Sequence, residues 1–185
     1  MSLWYKLTMS LFLDLQKCKT EEDVKDCYIK HLRLKGYQKN LIDIQTKEVW
    51  FEAKVGGKTS TYSMFTQLLF YVNASINAGE YVPPFLCVID SRKAAIMKTE
   101  TVLPLLKDKS IKIKWGKSAS EVTPDALERV SQFIGTHFVS YNIEKAEAEF
   151  IEAITNAIKT GEIIRTQITP DNLKSVFDRW VEAIG

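Results

Sequence analysis

Residues 41–54 have the sequence LIDIQTKEVWFEAK, which contains two short β-like runs. A short apolar run is interrupted by one acid, Asp43, and the β-rich run that follows carries Glu52 and Lys54 near its end. Residues 46–47 between the two runs are typical of a turn, so the stretch predicts a β-hairpin. Because the side chains of a strand alternate between its faces, Glu52 and Lys54 are expected on the same face.

Helical and strand patterns continue on both sides of this hairpin. Apolar spacing of three and four residues predicts helices, and short apolar or alternating runs predict strands. Helices are predicted over 7–15, from Thr20 to a stop at Gly36, over 60–76, 101–106, 124–134 and 144–158, and from Thr169 onward; further strands are predicted over 85–89, 94–98 and 111–115. The order is helix, strand, strand, helix, strand, strand, and then a helical region, which predicts an α/β fold.

Three regions are expected from this order. Residues 1–19 form an N-terminal helix, residues 20–117 form the α/β core, and residues 118–185 form a helical extension or a linker to further C-terminal domains.

Composition excludes several classes of protein. Of the 185 residues 45% are hydrophobic and 11% aromatic, which argues against a disordered chain. The longest apolar runs, such as residues 85–89, are far shorter than the roughly 20 residues that span a bilayer, so no membrane partner is expected. No secretory signal opens the sequence, and its three cysteines show no pattern of metal ligands. These features predict a cytoplasmic protein.

Charge is distributed unevenly along the chain. Residues 92–117 hold eight basic and two acidic residues, a balance of +6, whereas residues 121–162 hold three basic and eight acidic residues, a balance of −5. A basic region beside an acidic one predicts a surface that binds a polyanion. The alternative is that both regions are ordinary solvated surface.

The acids of the hairpin point to a metal site. If Asp43 and Glu52 lie on adjacent strands, two carboxylates and the Lys54 ammonium converge on one place. Burying two like charges together is costly unless a cation lies between them. Mg²⁺ prefers oxygen ligands and is often held by one or two carboxylates, and such a site suits phosphodiester hydrolysis. In the alternative interpretation, Glu52 and Lys54 form a solvent-facing pair on an edge strand and Asp43 is a surface acid.

The spacing of these residues resembles that of a known superfamily. Asp43, eight intervening residues and then Glu52-Ala53-Lys54 resemble the PD-(D/E)XK nucleases, although Ile42 occupies the place of the proline in that name. Gln67 and Tyr71 on the next predicted helix are similar to the Q-x-x-x-Y motif of the RecB-like branch. The resemblance implies a restriction-endonuclease-like α-β-β-α-β core with a mixed sheet.

The same resemblance implies roles for individual residues. The implied Mg²⁺ ligands are Asp43, Glu52 and the carbonyl of Ala53, with Glu22 ahead of Glu21 as a further carboxylate from the preceding helix. Lys54 is implied as the cation that activates the attacking water, Gln67 as a brace for the site or the scissile phosphate, and Tyr71 as packing behind it. DNA contacts are expected from Lys58, Tyr71, Lys112 and Lys114.

The function implied is that of a Mg²⁺-dependent DNA endonuclease domain. The layout is similar to the nuclease region at the N-terminus of single-chain restriction–modification enzymes, so an associated or fused DNA methyltransferase and target-recognition domains are the expected partners besides DNA. Two alternatives stay open, namely a non-catalytic DNA-binding or assembly module with a nuclease-like fold, and a RecB-like repair exonuclease. The intact set of Asp43, Glu52 and Lys54 favours an enzyme.

Overall fold

The computed structural model describes residues 10–167 and Val181. Five strands form one mixed sheet in the order β1-β2-β3-β4-β5, with helices packed on it, so the predicted α/β fold is confirmed. The elements are α1 (Leu11–Leu15), α2 (Glu21–Leu32), β1 (Ile44–Gln45), β2 (Val49–Ala53), α3 (Thr61–Asn77), β3 (Phe85–Ile89), β4 (Lys93–Lys98), α4 (Leu103–Lys107), α5 (Pro124–Ile134), β5 (Val139–Asn142) and α6 (Ile143–Gln167). No helix among these described residues is long and apolar enough to cross a membrane.

The predicted hairpin forms the start of the sheet. β1 and β2 pair antiparallel with Ile44 opposite Phe51, and β2 then pairs in parallel with β3. A parallel pair needs a crossover connection, which is the 17-residue helix α3. β3 pairs antiparallel with β4, and β4 with β5.

Apolar side chains cover both faces of β2. All five of its residues are buried, and its four apolar side chains alternate between two core clusters. Val49, Phe51 and Ala53 pack in one cluster with residues of α1, α2 and α6, whereas Trp50 packs in the other with residues of α3 and α5. Glu52 follows Trp50 by two positions, so its side chain points toward the face that α3 covers.

A capping box fixes the start of α2. The Thr20 hydroxyl accepts a hydrogen bond from the Asp23 N–H at 3.1 Å, and the Asp23 carboxylate accepts one from the Thr20 N–H at 3.0 Å. The helix ends at Leu32, because Arg33 takes a left-handed conformation with φ of 52°. The predicted stop at Gly36 is therefore too late.

The segment 111–115 is not a strand, contrary to the prediction. Its burial alternates as predicted, since Ile111, Ile113 and Trp115 pack on the core that includes α3. Its backbone pairs with no strand, because β5 occupies the edge of β4. The backbone at Lys114 instead bonds to the start of α5, where the Lys114 N–H donates to Asp125 Oδ2 at 2.8 Å.

The predicted helical extension also supplies a strand that the sequence patterns did not indicate. β5 has the sequence VSYN and is largely exposed, so it lacks the apolar alternation by which strands are recognised. Phe150 and Ile154 of α6 pack in the same cluster as Tyr28 of α2, so the core continues past the expected boundary at residue 117. The parts of the predicted helices before residue 10 and from Thr169 onward lie outside the described residues, Val181 excepted.

Removing the N-cap of α2 should weaken the fold measurably. We expect Thr20→Ala to lower the free energy of unfolding by about 1 kcal/mol, because one helix N–H loses its acceptor. Thr20→Ser keeps the hydroxyl and serves as the matched control. Urea denaturation of both variants measures the difference, and equal stability of the alanine and serine variants would show that the cap contributes nothing.

Candidate active site

The hairpin brings Asp43 and Glu52 together. Ile44 lies opposite Phe51, and one further step along the same register brings Asp43 opposite Glu52. Residues directly opposite in an antiparallel pair have their side chains on the same face, with Cβ atoms roughly 4.5–5.5 Å apart. Asp43 is fixed there by the backbone, since its Oδ2 accepts a hydrogen bond from the Ala53 N–H at 2.8 Å.

Glu52 is a buried carboxyl group with one cationic partner among the residues that the structure describes. Only 5% of the residue is exposed, and Lys54 Nζ donates to its Oε1 at 2.8 Å. Burial raises the pKa of Glu52 to about 7, and repulsion from Asp43 adds to the rise while Lys54 opposes it. Lys54 alone therefore does not compensate the two carboxylates.

Lys54 is held between acids from two elements. Its Nζ lies 2.8 Å from Glu52 and 3.5 Å from Glu21 Oε1 of α2. Burial lowers the pKa of Lys54, but the carboxylates of Glu52, Glu21 and Asp43 outweigh that effect and leave its pKa raised. The ammonium is thus held in its charged form beside the carboxylate pair.

A lysine that sequence reasoning missed completes the cluster. Lys25 Nζ on α2 lies 2.9 Å from Asp43 Oδ1 and 3.4 Å from Glu22 Oε2. The expected carboxylate Glu22 thus lies at the site, but it contacts Lys25 and Lys39, whereas Glu21 contacts Lys54. Lys25 follows Glu22 by three residues, which places both side chains on one face of the helix. This spacing was the only indication in the sequence that Lys25 could lie near the site.

α3 brings the other two matched residues to the same face of the sheet. Gln67 is only 8% exposed, and its amide makes no hydrogen bond to the described part of the chain. Tyr71 is half-buried, and burial raises its pKa, with further contributions from the carboxylates of Glu52 and Asp43. Tyr71 therefore lies within electrostatic reach of both acids.

The lysines expected to contact DNA are all exposed and lie in segments outside the helices and strands. Lys58 is exposed in the loop between β2 and α3, and Lys112 and Lys114 are exposed on the extended segment before α5. The latter segment lies against α3, since Trp115 packs edge-on to Phe70 with ring centroids 6.2 Å apart.

Part of the basic region has a structural role instead. Lys93 Nζ binds the fully buried Asp90 and donates to the carbonyl oxygen of Thr59 at 2.9 Å. This contact ties the loop after Lys54 to the turn between β3 and β4. The +6 balance of residues 92–117 therefore overstates the charge available to a ligand.

The donor set fits a metal that takes few protein ligands. The part of the chain that the structure describes holds no group of three or more His, Cys, Asp or Glu side chains that could bind an ion. Asp43 and Glu52 supply two carboxylates on one face, and the second Glu52 oxygen is not bonded to Lys54. Mg²⁺ fits such a pair, because it keeps several waters and is usually bound through one or two carboxylates.

No family model, curated protein or solved structure matches this chain. The likeness to PD-(D/E)XK nucleases consequently rests on the spacing of the named residues and on the order of the elements.

The raised pKa of Glu52 predicts a specific pH dependence of stability without divalent cations. The folded protein holds the Glu52 proton up to about pH 7, whereas the unfolded chain releases it near 4.5, so the free energy of unfolding falls between these values. Glu52→Gln cannot ionise. Between about pH 4 and about pH 8 its stability relative to wild type should improve by on the order of 1–3 kcal/mol.

Urea denaturation across this range, with a chelator present, measures the effect. The exposed Glu149→Gln is the matched control and should follow the wild-type curve. If Glu52→Gln and wild type gave parallel curves, Glu52 would not be a buried carboxyl group with a raised pKa.

Proposed function

We propose that this chain is a Mg²⁺-dependent DNA endonuclease that hydrolyses phosphodiester bonds. The proposal is based mainly on the position of Asp43 opposite Glu52, with Lys54 hydrogen-bonded to Glu52 on the same face. Two carboxylates held together and incompletely compensated are suited to a divalent cation, which relieves their repulsion.

Each residue of the cluster has a role in this reaction. Asp43, Glu52 and the carbonyl of Ala53 would hold Mg²⁺, which supplies a Lewis acid for the phosphodiester oxygens. Lys54 keeps a positive charge beside the attacking water and the developing negative charge on the phosphate. Gln67 braces the scissile phosphate, and Tyr71 packs behind the site.

DNA is the proposed substrate because exposed lysines lie on segments next to β2 and α3. Lys58 lies in the loop that joins β2 to α3, and the segment with Lys112 and Lys114 packs on the helix that carries Gln67 and Tyr71. Exposed lysines are among the side chains that commonly contact DNA phosphate groups. The restriction–modification setting, with a DNA methyltransferase and target-recognition domains as partners in the cytoplasm, rests on the resemblance alone.

One observation favours a second candidate, a non-catalytic DNA-binding module. Asp43 already has Lys25 on Oδ1 and the Ala53 N–H on Oδ2, and Glu52 has Lys54 on Oε1. In this alternative, lysines alone stabilise the carboxylates and the surface binds DNA without cutting it. A RecB-like exonuclease would use the same residues as the endonuclease but would require a DNA end.

Lys54 separates the enzyme from the binding module. In the enzyme, Lys54→Ala should retain DNA binding and lose roughly 10²–10⁴ in the rate of cleavage, because a positioned charge beside the water is removed. Lys54→Arg should not restore the rate, since a guanidinium is wider and planar and cannot take the place of a compact ammonium beside the water. Asp43→Ala and Glu52→Ala should abolish cleavage and leave the fold intact.

Single-turnover cleavage and binding are measured side by side, with closed circular and linear DNA as substrates. Cutting of the closed circle supports an endonuclease, whereas cutting of linear DNA alone supports the exonuclease. Weaker binding of Lys54→Ala that arginine restores, with no separate defect in cutting, would favour the binding module.

The exposed lysines before α5 should contribute to binding through the DNA backbone. We expect Lys112→Glu and Lys114→Glu each to flatten the slope of log binding constant against log salt concentration by roughly one unit. The reason is that fewer counterions are released on binding when a phosphate contact is lost. Titrations over a range of salt concentrations measure the slope. Unchanged slope and affinity in both variants would show that this segment is merely solvated surface.

A further inference from the structure

Lys25 is an ammonium group at the hairpin end to which the proposed chemistry gives no role. Its side chain is only 14% exposed, and the Asp43 side chain that it contacts is 17% exposed. The Lys25–Asp43 ion pair should weaken binding of a metal ion at Asp43, because the ammonium and the metal ion need the same carboxylate.

Both oxygens of Asp43 are already engaged. Oδ2 accepts from the Ala53 N–H at 2.8 Å, and Oδ1 lies 2.9 Å from Lys25 Nζ. The Ala53 N–H belongs to the backbone of a buried strand and cannot leave without disrupting β2. The Lys25 ammonium lies at the end of a flexible side chain, so Oδ1 is the oxygen that can be released to a metal ion.

A second carboxylate is ready to receive that ammonium. Glu22 lies three residues before Lys25 on α2, and its Oε2 is already 3.4 Å from Lys25 Nζ. Glu22 is 55% exposed and is shared with Lys39, which also has Asp26 as a partner at 2.6 Å. Lys39 can therefore remain paired when Lys25 moves fully to Glu22.

We propose that Lys25 is an internal competitor for Asp43, which a divalent cation must displace and which Glu22 then receives. The inference rests on the proposed function, since it concerns the same Asp43–Glu52 pair. Breaking the Lys25–Asp43 contact opposes metal binding, and completing the Lys25–Glu22 contact favours it. Lys25 is thus a positioning residue that sets the cation concentration at which the site fills.

Calorimetric titration of the full chain with Mn²⁺ tests this competition. Lys25→Met removes the competitor with little change of volume and should tighten Mn²⁺ binding by roughly 5- to 150-fold. Lys25→Arg keeps the competing charge and should bind Mn²⁺ no more tightly than wild type. The matched control is Lys30→Met, which removes an exposed charge of α2 that forms no ion pair with the described residues.

Glu22→Gln separates the transfer of Lys25 from a simple effect of nearby charge. It should weaken Mn²⁺ binding when Lys25 is present, because the displaced ammonium loses its acceptor. In the Lys25→Met background it should have little effect. If Glu22→Gln weakened binding equally in both backgrounds, Glu22 would act directly on the metal and the proposed transfer would be wrong.

The remaining outcomes distinguish this inference from the proposed function. Mn²⁺ binding that Glu52→Gln abolishes but Lys25→Met leaves unchanged would overturn the competition and keep the metal site. Absence of binding to wild type and to Lys25→Met would overturn both. Absence of binding to wild type with clear binding to Lys25→Met would support the competition most strongly. Circular dichroism of each variant verifies that the fold is intact.

Discussion

The repulsion between Asp43 and Glu52 is the interaction on which the candidate site depends. The register of β1 and β2 forces the two carboxylates onto one face, and the Ala53 N–H holds Asp43 there. In a buried place this arrangement is unfavourable unless cations surround it. Among the described residues, Lys54 just after β2 and Lys25 from α2 are the two cations that contact this pair.

The rest of the fold keeps this unfavourable arrangement in place. One face of β2 packs against α1, α2 and α6, and the other packs against α3 and α5. Glu52 on such a strand cannot move away from Asp43 without disturbing two core clusters. The capping box at Thr20 fixes the start of α2, which carries Glu21, Glu22 and Lys25 to the open end of the hairpin. The positions of the charged groups at the site therefore depend on the packing of the whole core. A change in the charge of these groups should also change the stability of the fold.

Much of this arrangement could be predicted from the sequence, because strong local patterns encode it. The hairpin, α3 and β3 follow from apolar periodicity bounded by turn residues. Segment 111–115 has a strand-like alternation of apolar and polar residues, but this alternation comes from its packing on α3. Whether such a segment pairs as a strand depends on whether an edge of the sheet is free. β5 lacks an apolar pattern, and Lys25 meets Asp43 only through the tertiary contact of α2 with the hairpin. Neither the strand β5 nor the Lys25–Asp43 contact could be recognised from local sequence.

A crystal structure of the full chain with Mn²⁺, in which the metal is located by its anomalous scattering, would test whether Asp43 and Glu52 form a metal site. We expect one anomalous peak between the carboxylates of Asp43 and Glu52, with Lys25 moved from Asp43 toward Glu22. Absence of a peak at this position at saturating Mn²⁺, with Lys25 still bonded to Asp43, would contradict this expectation and leave the lysines as the only cations of the site.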